Sequence, residues 1–149
     1  MKHDEMNEYK KMSTEEHLGD CIVDMLFYVS QLHLAHWLTL KNHHHVVVGE
    51  LYSDLEDELD ELAEQYIGAC LPAMKPEESL NLAEAVREPN YYKIIKSEKD
   101  ILSIVDEIAE HANKSLQVVE KNPKFAFMRD GFMDIIAVCY SAKYKITQE

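Results

Sequence analysis

Residues 32–64 read LHLAHWLTLKNHHHVVVGELYSDLEDELDELAE, and the spacing of their apolar positions decides the fold. Before the KNHHH break, Leu32, His36 and Leu40 continue a series that starts at Leu18 and passes through Ile22, Met25 and Val29. After it, Leu51, Leu55, Leu59, Leu62 and Tyr66 form a second series. Steps of three and four place such residues on one side of an α-helix. Ser13 with Glu16 three residues later makes a capping box. The spacing therefore predicts a first helix over about 14–41 and a second from the histidine run to near Gly68 and Pro72.

The rest of the chain fits the same pattern. Pro72, Pro76 and Pro89 surround NLAEAV, so residues 72–96 read as a crossover with at most one short helix. A third helix starts near Ser97, carries Ile101, Ile104, Val105, Ile108 and Ala112 on one side, and stops before Asn122. Asn122 is placed to cap the fourth helix, with Pro123 in its first turn and Phe125, Met128, Phe132, Ile136 and Tyr140 as its stripe. No segment alternates as a strand would. Four long helices with one long middle connection predict an all-α fold, a ferritin-like four-helix bundle with a single crossover between helices 2 and 3. Residues 13–147 read as one domain and residues 1–12 as a polar N-terminal arm.

Charge and cysteine usage narrow the setting. The 149 residues carry a net charge of −13, which repels phosphates. The arm, MKHDEMNEYKKM, balances three lysines with three acids, so DNA binding is disfavoured. Cys21, Cys70 and Cys139 lie far apart, without CxxC, and point to a reducing cytoplasm. The most apolar run, CIVDMLFYV, is broken by Asp24 and too short to span a membrane, so a soluble protein is expected. Trp37, Tyr28 and Tyr52 are expected to be packing residues.

Two features of the opening stretch point to chemistry. Five of the eight histidines fall in it, at 33, 36, 43, 44 and 45. From Glu50 to Glu64 there are eight carboxylates and no lysine or arginine. Like charges four residues apart cost a helix roughly 0.2–0.5 kcal/mol per pair, so the run asks for cations. Imidazole nitrogens and carboxylate oxygens contributed by neighbouring helices suit iron, manganese or zinc. On a 100° helical wheel, Asp60 and Glu64 face away from the stripe of their own helix, while His36 and His45 fall nearer the apolar sides of theirs. Asp60 and Glu64 therefore turn either to water or to a partner chain.

The pair at His36 and Trp37, a histidine opening the second helix, the Tyr of GELY and the DELAE at 60–64 resemble the Dps miniferritins, over about residues 26–68. HW and GELY are also similar to ferritin-like proteins of phages and bacteria. The resemblance implies an iron-oxidising, iron-storing homo-oligomer built from dimers into a dodecameric shell and active in oxidative stress. Its Fe2+ site would use His36 and His45 of one subunit with Asp60 and Glu64 of another. The chain departs from the family in the shorter LTLKNHHH connection and in Val46 and Gly49, where a further acidic ligand is expected. His33, His44 and Glu50 stand close enough in sequence to compensate. Two other readings compete: an all-α pyrophosphohydrolase holding Mg2+ on a nucleotide through Glu61 and Glu64, and a non-catalytic helical assembly protein.

Overall fold

The structure, a computed structural model, describes residues 12–148. The described residues are all-helical, with no strand among them. In chain order they form α1 (Thr14–Leu38), α2 (Asn42–Cys70), α3 (Pro76–Ser79), α4 (Leu82–Arg87), α5 (Glu98–Glu120) and α6 (Arg129–Ile146), with a 3-10 segment, Pro123–Met128, leading into α6. The arm at 1–12 lies outside the described residues apart from Met12. No helix among them is long and apolar enough to cross a membrane.

The four long helices pack in the cyclic order α1, α2, α6, α5. Cross-helix pairs show that neighbours run antiparallel. Thr14 bonds Asn122 while Asp24 faces His111, and Glu50 faces Lys145 while Gly131 lies against Leu62. Residues 71–97 consequently travel from one end of the molecule to the other. All five apolar residues expected on α2 and all five on α5 are buried. Each large aliphatic or aromatic side chain sequestered in this way contributes roughly 1.5–3 kcal/mol.

Helix starts follow the sequence signals. The Glu16 amide donates to Ser13 Oγ at 3.1 Å and the Asp100 amide to Ser97 Oγ at 3.1 Å. Four expectations are corrected. First, α1 stops at Leu38; Leu40 lies in the connection at 39–41 and is 96% exposed. Second, Asn122 stands at the N-cap position of the 3-10 segment that leads into α6, with Pro123 in its first turn as expected, but its side chain makes no capping bond there and turns back to the end of α5. Its Nδ2 donates to the Val118 carbonyl at 2.6 Å and its Oδ1 accepts from Thr14 Oγ1 at 3.2 Å.

Third, the stripe leading into and along α6 is Phe125, Met128, Phe132, Ile135, Cys139, Ala142 and Ile146, with Tyr140 exposed and Ile136 half-buried. The segment enters through a 3-10 turn, whose three residues per turn advance the phase of the buried face. Fourth, the crossover holds two short helices, joined at Asn81. Asn81 adopts a left-handed φ of 54°, which asparagine tolerates, and its Nδ2 donates to Asp20 Oδ1 at 2.8 Å.

One end of the molecule is closed by backbone contact. A Cβ on Gly19 would stand 2.2 Å from the Ser79 carbonyl oxygen, so α1 and the end of α3 approach this closely only because residue 19 has no side chain. Between them, the fully buried Tyr66 hydroxyl lies 2.7 Å from the carbonyl oxygens of both Glu15 and Ser79, and it shares its single proton between them. Burial pushes this phenol far above its ordinary range.

Candidate metal-binding corner at the α1 and α2 connection

At the opposite end, three consecutive histidines at the start of α2 turn toward three different helices, as 100° per residue requires. His43 Nε2 donates to the Lys145 carbonyl at the end of α6. His44 is buried, with Nε2 3.7 Å from Glu98 Oε1 at the start of α5. His45 turns to α1. His45, expected nearer the apolar side of its helix, is exposed, and His44 takes the buried position.

His45 and His36 hold each other reciprocally. His36 Nδ1 lies 2.8 Å from the His45 carbonyl oxygen, and His45 Nδ1 lies 2.7 Å from the His36 carbonyl oxygen. A carbonyl can only accept, so both Nδ1 atoms carry the proton and, in the neutral rings, both Nε2 lone pairs are free. Hydrogen bonding through one ring nitrogen is the usual way a protein orients imidazole toward a metal. The rings stack at 3.8 Å between centroids and 17° between planes. An imidazole lone pair lies in its ring plane. Two nearly parallel planes at that distance do not converge on one ion, so in this arrangement each imidazole would serve an ion of its own.

Gly49 makes the pairing possible. A Cβ there would stand 2.8 Å from His36 Cε1 and 3.0 Å from Nδ1. From the sequence, Gly49 stood out only as a position lacking a ligand; its role is to leave room for one. Tyr52 presents an edge to His36 at 5.5 Å and stacks on His33 at 4.2 Å, and His33 in turn meets Trp37 at 4.8 Å. Trp37, expected to pack, is 67% exposed, and Leu40 and Val46, close in sequence to the histidine pair, are exposed apolar residues as well. Tyr28 and Tyr52 are half-buried at the edge of the core.

The remaining expected ligands lie elsewhere. Asp60 and Glu64 are exposed, as the wheel requires. At about 1.5 Å per residue, Asp60 is about 22 Å along α2 from His45. Glu50 is also exposed, 3.9 Å from Lys145 Nζ. Among the described residues no three histidine, cysteine or acidic side chains gather closely enough to hold a metal. One chain thus brings together His36 and His45, with His33 one ring further out, and leaves the carboxylates apart. Of the eight acids at 50–64, Glu50 alone is ion-paired among the described residues. Partial burial and the neighbouring Asp134 raise the Glu58 carboxyl above its ordinary range, a sign of uncompensated charge between α2 and α6.

Other reactive groups are quiet or structural. Burial pushes the Cys21 and Cys139 thiols up to about 12, which keeps them protonated at neutral pH. His111 Nε2 lies 3.6 Å from Asp24 Oδ2, its Nδ1 donates to the Glu107 carbonyl at 2.9 Å, and the Asp24 contact holds its pKa above the usual range.

Compared with known proteins, the chain matches no family model, no curated protein and no solved structure.

Proposed function

We propose that the four long helices form a ferritin-like four-helix bundle with one long crossover, and that the chain is a cytoplasmic, Dps-like miniferritin. It assembles on itself from dimers and takes Fe2+ as substrate, which loses an electron to peroxide or dioxygen and is retained as Fe3+. The observation that carries this reading is the reciprocal lock between His36 and His45, which fixes both rings with Nε2 lone pairs available at an exposed corner. Asp60 and Glu64, unpaired on the outer face of α2, supply the hard oxygen ligands from a second copy; manganese or zinc suits the same donors. The −13 charge favours iron over nucleic acid as partner.

A second reading, an assembly protein without iron chemistry, is favoured by Val46 and Gly49 standing where the miniferritin resemblance leads one to expect an acid. Rapid mixing separates the two. Anaerobic Fe2+ followed by peroxide should give ferric absorbance faster with the protein than in buffer, and His36→Ala should slow it. Equal rates for protein and buffer would leave the assembly reading.

A further inference from the structure

A groove of about 1380 Å³ runs along the outer side of α1, between α2 and the crossover, and ends at His33 and Tyr52. Six carboxylates line it: Glu16, Asp20 and Asp24 from α1, Glu56 from α2, and Glu84 and Glu88 from the crossover. Among the described residues no lysine or arginine lines it, and none of the six is ion-paired to one. Between the acids the surface is apolar and aromatic, formed by Val23, Leu26, Phe27 and Tyr92, with Leu26 59% and Tyr92 60% exposed. The groove thus alternates two kinds of surface, and among the described residues Asp24, beside His111, is its one acid with an ionisable cationic partner.

From this lining we infer that the groove binds a linear aliphatic polyamine. The first argument is donor and acceptor balance. The lining is rich in acceptors: six carboxylates stand against the neutral donors of Ser30, His33, Tyr52, Asn81, Asn90 and Tyr92, and of these Asn81 already donates to Asp20 while Ser30 and Tyr92 bond each other. An ammonium group offers donors and no acceptor, whereas a peptide backbone brings carbonyls that would find few donors here. The second is register. Glu16, Asp20 and Asp24 repeat every four residues, about 6 Å along the helix, and so do Glu84 and Glu88 within and just past their short helix. Ammonium groups three or four methylenes apart repeat at much the same distance and lay their methylenes over the apolar strip. The third is the rings: Phe27 and Tyr92, 5.2 Å apart, offer faces that attract cations. This binding does not depend on iron chemistry at the histidine corner.

The test is calorimetric titration of spermine into the full-length protein at physiological salt. Saturable binding is expected, weakened roughly tenfold or more in Glu84→Gln/Glu88→Gln, whose side chains are exposed and bear no fold contacts. The Asp57→Asn/Glu61→Gln variant, which removes two exposed acids outside the groove, should bind within about twofold of the parent. Leu26→Ala should also weaken spermine while leaving any Mg2+ binding unchanged, since only the polyamine uses the apolar strip. Equal weakening by both acid pairs, or displacement of spermine by Mg2+ at equal charge concentration, would show general counter-ion attraction and overturn the inference. Tighter binding of a lysine-rich peptide than of spermine would overturn it as well.

Discussion

The two ends of the molecule use similar residue types for opposite purposes. At the closed end, a glycine and a tyrosine, Gly19 and Tyr66, are buried and hold backbone against backbone. At the open end, Gly49 and Tyr52 sit beneath imidazole rings that remain partly or fully exposed. Each glycine removes a Cβ where something must come close. At Gly19 that neighbour is a carbonyl oxygen that closes the fold; at Gly49 it is a side chain with a free lone pair. Exposed, hydrogen-bonded and orienting is the signature of a site, whereas buried and contact-making is that of a scaffold.

Substitutions at the two ends should separate along that line. The largest effect on stability is expected for Gly19→Ala. The new methyl meets backbone that cannot move aside cheaply, so denaturant unfolding should show a loss of about 3 kcal/mol; a neutral outcome would mean that α3 does not rest on α1. Tyr66→Phe comes next, because it removes the one proton shared between the Glu15 and Ser79 carbonyl oxygens at this closed end, and about 1–2 kcal/mol should be lost in the same measurement.

Gly49→Ala should behave differently. The clash falls on a side chain free to swing outward, and alanine improves helix propensity by up to about 1 kcal/mol, so global stability should change little. Iron oxidation, by contrast, should fall as far as in His36→Ala. If Gly49→Ala kept full iron oxidation, the lock would be incidental.

The smallest effect is electrostatic. His111 has its pKa raised by Asp24, against an opposing effect of burial. A raised histidine stabilises the fold fully below its ordinary unfolded pKa and loses that contribution as pH rises through the higher folded value. Thermal midpoints should therefore decline between about pH 6 and 8 in the parent and decline less in Asp24→Asn; parallel curves would remove the pairing from the account.

How much was legible in the sequence follows from how local each signal is. The cap at Ser13, the helix start near Ser97 and the stripes of α2 and α5 depend on a few neighbouring residues, and they are found where expected. The α6 stripe was misplaced because the 3-10 entry changes the residue count per turn, which no apolar spacing announces. Asn122 stands at the expected N-cap position but its side chain bonds back to α5, because an asparagine between two helices can serve either. At the corner, residue types marked five histidines and only the miniferritin resemblance singled out His36 with His45, while the divergence of His43, His44 and His45 could have been anticipated from 100° per residue. Gly49 was not legible, since empty space acquires meaning only once the ring that fills it has been placed.

The central claim is that the site is completed between chains, and mixed assembly tests it most directly. One inactive variant carries His36→Ala and His45→Ala, a second carries Asp60→Ala and Glu64→Ala, and size-exclusion chromatography first establishes that both assemble. Unfolding and reassembling an equal mixture places, in each mixed isologous dimer, one corner with both histidines and both carboxylates, whether they serve one ion or two, and one corner with none of them. About half the dimers are mixed, so the account predicts recovery of about a quarter of the parent rate of iron oxidation. Recovery indistinguishable from zero in assembled mixtures would contradict it and place the working ligands within a single chain.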